Sequence, residues 1–335
     1  MKDRSYVFPA HTTILSPRAL RERLLTLYDL SEPIFCDFFR QGINDTYRVT
    51  AGHYPYFLRI VRHGMRSNAE VEAEIQLLQL LDRHNLPVSA PIADRHGHFW
   101  HSLAAPEGER QAILFEVAQG HLDRKPSPRR CQLAGEALAQ IHAVWDEVKE
   151  PVQRPSYTPD VLVEIPMETI RLAFSHHTSE LILLDNVAYE VRMWLDGPGA
   201  LLKDYGLCHA DFHEENIHFR GSNDINLFDF DCAGYCWRAY DLAVFFWSRY
   251  LLDSDAEIRA SRWDAFLAGY LSVRSLPARD IEGIPALAVA RQIWIMGLHT
   301  GPTTYHYGRR WLDDRYIDKH IGLLKRLAER AGLPL

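Results

Sequence analysis

The period of apolar and polar positions changes along the chain. After a helical run around residues 17–29, the segments "IFCDFFR", "TYRVT" and "YFLRIV" are short and rich in β-branched and aromatic residues. They are joined by the turn-like "QGIND" and "AGHYP", which predicts an antiparallel meander. The period then lengthens in "SNAEVEAEIQLLQLLDRHNLPV". Here Val71, Ile75, Leu78 and Leu81 recur at helical intervals, behind Ser67 and Glu70 at capping-box spacing. Two further strand-like runs, near "HGHFWHS" and "QAILFEV", follow before the character changes around residues 118–128.

Beyond that point helix dominates. "SPRRCQLAGEALAQIHAVW" offers Ser127 as N-cap, Pro128 at the first helical position, and an apolar face of Leu133, Ala137, Leu138 and Ile141. Only "NIHF", the polar turn "RGSND" and "INLFDF" interrupt the helical half, as one hairpin. The pattern predicts an α+β chain with a small β-rich lobe, residues 1–117, and a larger, mostly helical lobe, residues 118–335.

Composition narrows the partners. The 335 residues suffice for two lobes with cores of their own, and the formal charge of −7 argues against nucleic acid or an anionic membrane. The apolar stretch "IPALAVARQIWIMGLH" is split by Arg291 and reads as too short to span a bilayer. Five cysteines (Cys36, Cys131, Cys208, Cys232, Cys236) form no compact framework, and the first twenty residues lack the apolar core of a signal peptide. Reduced thiols and a cytoplasmic location are expected. Cys232 and Cys236 read as buried thiols more readily than as metal ligands.

The densest chemistry lies in "LCHADFHEENIHF" and, after seven intervening residues, "LFDFDCAG". His209, Asp211 and His213 alternate, so on a strand they would share one face, a partial ligand set for a metallohydrolase. That reading leaves Asn216 without a role. A solvated polar loop leaves unexplained why "LFDFD" would bury two carboxylates in an apolar strand. Phosphoryl transfer uses more of these residues. It needs a carboxylate to accept the acceptor's hydroxyl proton, and oxygen ligands to hold Mg²⁺ on the nucleotide phosphates. Asp211 and Asn216, an Asp-x4-Asn pair, with the strand-borne Asp229, supply that set.

"HADFHEEN" followed by "LFDFDCAGYCWRAYDLAVFF" resembles the aminoglycoside phosphotransferase superfamily, which includes the homoserine, choline and stress-response kinases. Ala210 stands where that motif usually has glycine. The resemblance implies a bilobal protein-kinase-like fold and use of ATP with Mg²⁺. It makes Asp211 the catalytic base, Asn216 and Asp229 the magnesium ligands, His209 a brace for the loop, and Asp241 a buried aspartate tying that loop to a helix. Asp231 would stand behind the site or face the acceptor.

The family's small lobe places a cation on the phosphates and anchors it with a helix-borne glutamate. No lysine lies between Lys2 and Lys125, so Arg59 is the candidate cation, with an edge-strand surface charge as the plain alternative. Glu74 is the matching glutamate; Glu70 belongs to the capping box. "RQGINDTYRV" resembles a nucleotide-covering turn in which Gly42 lets the backbone approach phosphate, while Asn44 and Thr46 donate hydrogen bonds. "LFEVAQG" reads as a hinge whose main-chain groups at Glu116 and Ala118 take the adenine edge, or as a plain linker.

Only eleven residues separate Asp229 from Asp241, leaving no room for a peptide-binding activation segment. A small-molecule hydroxyl acceptor is expected: an amino alcohol, a hydroxy amino acid such as homoserine, or an aminoglycoside-like compound. The rivals are a serine/threonine protein kinase of the stress-response type, a metallohydrolase and a nucleotide-binding pseudokinase. Trp294, His299, Tyr305, Tyr307 and Trp311, with Trp237, would wall the acceptor pocket or serve as ordinary helix packing. Nothing in the sequence sets the oligomeric state.

Overall fold

The computed structural model describes residues 8–221, 223–301 and 312–335. The backbone forms two compact units, Met1–Gln79 with Ser89–Val117, and Leu80–Val88 with Ala118–Leu335.

In the first unit Ser16 caps a helical stretch that starts as α1 (Pro17–Ala19), widens to a π turn (Leu20–Leu24) and tightens to a 3-10 turn (Leu25–Leu27). Strands β1 (Ile34–Gln41), β2 (Asp45–Ala51) and β3 (Tyr54–Ile60) form the antiparallel meander. Helix α2 (Asn68–Arg83) follows, then β4 (Trp100–Ala105) and β5 (Gly108–Glu116). The sheet order β1-β2-β3-β5-β4 shows that the chain returns at the far edge as β4, so that β5 fills the place beside β3.

Strand alternation then sorts the side chains. Tyr47, Val49, Leu58, Ile60, Ala112 and Leu114 pack on Leu20, Leu24, Leu25 and Tyr28, while Val61 and Ile113 pack on Val71 and Ile75 of α2. The capping box forms: Ser67 N–H donates to Glu70 Oε2 at 2.8 Å, and Glu70 N–H donates to Ser67 Oγ at 3.2 Å.

In the second unit β6 (His121–Leu122) pairs with β8 (Ile217–Arg220), which forms the expected hairpin with β9 (Asp224–Leu227). A second pairing, β7 (Tyr205–Cys208) against β10 (Gly234–Trp237), corrects the expectation of one hairpin. Four residues are too few to display alternation. The helices are α3 (Pro128–Trp145), α4 (Ile165–Ala173), α5 (Thr178–Asp196), α6 (Arg238–Leu252), α7 (Ala256–Val273), α8 (Ala278–Thr300) and α9 (Asp314–Ala331). Ser127 Oγ accepts the Arg130 N–H at 3.3 Å, capping α3.

Helices α3 and α7 cross closely because glycine sits on both. A Cβ at Gly135 would lie 2.0 Å from Phe266 O, and one at Gly269 would lie 2.1 Å from Gln132 O. Helix α8 has 23 residues, more than the apolar stretch around Arg291 suggested, and it passes the length and composition test for a membrane span. Two thirds (67%) of its apolar stretch is buried, as in a core helix. All five cysteines are free thiols.

Candidate active site

The catalytic-loop candidates begin where β7 ends. Ala210 adopts φ +61°, a left-handed conformation that is strained for a residue with a Cβ, which accounts for glycine at this place in the motif. Asp241, in the first turn of α6, holds the loop there: its Oδ2 accepts His209 N–H at 2.7 Å and its Oδ1 accepts Ala210 N–H at 2.6 Å. His142 Nε2 lies 2.9 Å from the same Oδ2, and His142 Nδ1 lies 2.9 Å from Tyr270 OH. Burial pushes the Asp241 carboxyl up to about 6, against the pull of these donors. Burial also drives His142 well below the usual imidazole range, so the ring is neutral and donates Nε2–H.

His142, Cys208 and Asp241 together approach the spacing of a metal site. Both Asp241 oxygens already accept protein hydrogen bonds, however, so the cluster reads as a brace.

Asp211 follows the strained residue. Its Oδ1 receives Arg291 Nη2 from α8 and lies 3.4 Å from His213 Nε2. Its Oδ2 accepts Asn216 Nδ2–H at 3.1 Å, and its main-chain oxygen accepts the same amide at 2.9 Å. Burial alone would raise this carboxyl; the charges of His213 and Arg291 outweigh it and hold Asp211 well below the usual carboxylate range. His213 is pulled in both directions, down by burial and up by Asp211, and the upward pull prevails. Both amide hydrogens of Asn216 are directed at Asp211, while its amide oxygen takes no part in these bonds.

Asp229 requires a correction. Strand β9 stops at Leu227, and Asp229 lies beyond it, exposed, at φ +63° and ψ +61°. Only Asp231, within the 3-10 turn Phe230–Cys232, is buried. The strand therefore does not bury two carboxylates; it ends so that Asp229 can turn outward. The loop stays close to Asn216, whose main-chain oxygen accepts Phe228 N–H at 3.2 Å.

A strap at residues 152–157 pins the stretch after Asp229. Arg154 Nε donates to Ala233 O at 2.6 Å, Tyr157 OH donates to Cys232 O at 2.6 Å, and Tyr235 N–H donates to Pro155 O at 2.8 Å.

In the first unit, Arg59 and Glu74 meet. Arg59 Nη2 lies 2.8 Å from both carboxylate oxygens, the guanidinium stands 4.9 Å from the Phe115 ring centre, and Glu74 is 1% exposed. Alternation explains the meeting, since Arg59 shares its face with the residues that pack on α2. The edge-strand reading of Arg59 falls, because the residue is only 8% exposed.

Thr46 stands opposite Arg59 in the β2–β3 register. Gly42 N–H donates to Asn44 O at 2.9 Å, and Arg62 braces the turn through Gly42 O at 2.7 Å and Asn44 Oδ1 at 3.2 Å. A Cβ at Gly42 would meet nothing closer than 3.6 Å, so the turn itself does not demand glycine. Glu116 is exposed at the end of β5, with its N–H on Ala90 O at 3.0 Å. Ala118 is buried in the second unit, and its carbonyl accepts from His218 Nδ1 at 3.0 Å.

Among the expected aromatics, Trp294 stands 4.7 Å from the Arg291 guanidinium and 6.2 Å from the Tyr157 ring. His299 bonds Tyr316 OH at 2.9 Å, and Trp237 packs on Tyr205. Tyr305, Tyr307 and Trp311 lie outside the described residues. Sequence reasoning missed Arg154, Arg291 and the contact of His213 with Asp211. The one available signal was an arginine inside an apolar helical run.

Residues 38–276 match the phosphotransferase enzyme family. An uncharacterized protein of Deinococcus radiodurans is 33% identical over 327 residues, 97% of this chain and 94% of the relative. A homoserine kinase of Polaromonas naphthalenivorans is 26% identical over 256 residues, 75% of this chain and 72% of that protein. The solved amicoumacin kinase hAmiN, in complex with AMP-PNP, Ca2+ and Ami, shares the fold at TM-score 0.73 and 20% identity, covering 95% of this chain and 93% of its own.

Proposed function

Because the chain belongs to the phosphotransferase enzyme family, we propose that it moves the γ-phosphoryl group of ATP, with Mg²⁺, to the hydroxyl of a small molecule. The observation that carries this reading is the arrangement of one loop. Asp211 is locked ionised, Asn216 is oriented by it, and the loop is hydrogen-bonded to the segment that turns Asp229 outward.

The Asn216 amide oxygen and the Asp229 carboxylate are hard oxygen donors of the kind Mg²⁺ takes. When bound, the ion would neutralise charge on the phosphates. Arg59, held by Glu74, is the cation for the α- and β-phosphates. Gly42, Asn44 and Thr46 line the turn beside it, and the main chain at Glu116 and Ala118 takes the adenine. Asp211 orients the acceptor hydroxyl and takes its proton as the new oxygen–phosphorus bond forms. The bridging bond breaks toward ADP.

The acceptor is a small molecule because the segment after Asp229 passes directly into β10 and α6, pinned by the strap at 152–157. Of the candidate acceptors, a hydroxy amino acid such as homoserine fits best. Asp211 faces the Arg291 guanidinium and His213, whose proton affinity Asp211 raises, and such surroundings suit a substrate carboxylate better than the amines of an aminoglycoside. The homoserine kinase relative points the same way. The free thiols are consistent with a cytoplasmic enzyme.

A coupled ADP-release assay over homoserine, choline, sugar and aminoglycoside panels tests the proposal, with magnesium omitted as control. Asp211→Asn should lower kcat by on the order of 10²-fold. Undiminished turnover in that variant refutes the role of Asp211. Label from radioactive ATP appearing on protein rather than on small molecules favours the protein-kinase rival. Ester hydrolysis without nucleotide favours the hydrolase.

A further inference from the structure

Helix α8 is apolar on both sides of Arg291, yet this arginine is 1% exposed. A buried guanidinium without partners would cost several kcal/mol, so its surroundings state its purpose. Those surroundings are specific. Nη2 donates to Asp211 Oδ1, Nη1 donates to Ala210 O at 3.3 Å, and the plane is flanked by the Trp247 and Trp294 rings at 5.3 and 4.7 Å. The fork thus spans a main-chain carbonyl and the next residue's carboxylate, a task for two fixed N–H donors that a lysine ammonium cannot reproduce.

The rest of the loop is already anchored. Asp241 holds the main chain of His209 and Ala210, and Arg249 pairs with buried Glu214 at 2.6 Å. What Arg291 adds is a hold on the reacting side chain itself.

From this geometry, and resting on the phosphotransferase reading above, we propose that Arg291 is a positioning residue for catalysis. It fixes the Asp211 carboxylate by Oδ1, so that Oδ2 is the oxygen the acceptor hydroxyl meets. Asn216, on the same Oδ2, ties that orientation to the residue proposed to hold the metal.

The test is a double-mutant cycle in the ADP-release assay, with melting temperature recorded for every protein. R291A should lower kcat by on the order of 10- to 100-fold, as a misplaced catalytic group does, with the KM for ATP within about threefold of wild type. R291K should recover little of the loss, and ethylguanidinium should restore part of the R291A activity. In the D211N background R291A should cause no further loss, because its effect passes through the missing carboxylate.

A loss that persists undiminished in D211N overturns the inference, as does an R291A or R291K enzyme within twofold of wild-type kcat. If R291A fails to fold, R291K in both backgrounds carries the same comparison. A wild-type chain that phosphorylates no acceptor overturns the function and this inference together, whereas an active wild type with additive losses overturns this inference alone.

Discussion

Asp241→Asn isolates what holds the catalytic loop. The carboxylate accepts three buried donors, His209 N–H at 2.7 Å, Ala210 N–H at 2.6 Å and His142 Nε2–H at 2.9 Å. The two main-chain donors approach different oxygens. An amide offers only one oxygen, so in either flip its NH₂ faces a backbone N–H. That removes a charge-assisted bond, about 1.5–3 kcal/mol, and leaves a buried donor unsatisfied at about 1–3 kcal/mol more.

One term opposes this loss. Burial holds the carboxyl at about 6 rather than its ordinary 3.8, so ionisation of this group is itself disfavoured in the fold. An amide escapes that penalty, about 3 kcal/mol at 1.36 kcal/mol per unit. The losses sum to about 2.5–6 kcal/mol, so the balance runs from near zero to about 3 kcal/mol of destabilisation, or up to roughly 4 °C in Tm for a chain of 335 residues. Thermal melting followed by circular dichroism measures it. Turnover at 25 °C, where the variant remains folded, should fall by about tenfold, because Ala210 leads directly into Asp211. A variant that melts at or above the wild-type temperature with full turnover would show that the desolvation term dominates and that the loop needs no such anchor.

Two stability predictions follow from packing and burial. Gly135→Ala forces a methyl to within 2.0 Å of Phe266 O where α3 crosses α7, and should cost about 2–4 kcal/mol in urea unfolding. Gly322→Ala on α9, where the nearest atom is the flexible Arg326 end at 3.6 Å, should gain about 0.5–1 kcal/mol; equal effects would refute the crossing argument. His320 is buried and stacked on Tyr316, its Nδ1 takes Gln292 Nε2–H at 3.0 Å, and burial lowers it to about 3. Its folded value lies below its unfolded one, so the stability tied to its neutral form is complete above about pH 6.5 and is lost as pH falls toward 3. Wild type should lose about 2–3 kcal/mol more than His320→Gln between pH 7 and 4.5, and parallel pH curves for the two proteins would contradict this.

Legibility in the sequence followed the range of the interaction. The capping box at Ser67 and Glu70, the Ser127 cap and the β8–β9 hairpin are set by residues within a few positions of each other, so their patterns were readable. The meeting of Arg59 with Glu74 was also reachable, because strand alternation and a helical stripe each fix a face. Asp229 was misread for a local reason. A left-handed residue leaves no mark on the apolar run before it, so the strand seemed to continue through "LFDFD". The motif's usual glycine at position 210 did carry a conformational signal, since the residue here has φ +61° even as alanine.

The arginines mark where sequence reasoning ends. Arg154, Arg249 and Arg291 are buried, and they hold Ala233 O, Glu214 and Asp211, partners 79, 35 (249 − 214) and 80 residues away in the chain. No period or spacing connects such pairs; only the tertiary approach of the strap, α6 and α8 to the loops does. Burying three guanidinium groups is unfavourable unless each finds an acceptor, so the fold is consistent only with the loops in their observed places. The same charges that make these helices poor hydrophobic elements in isolation therefore select the loop conformation the chemistry needs. An isosteric apolar replacement could preserve packing at any of the three positions and still release the loop it holds.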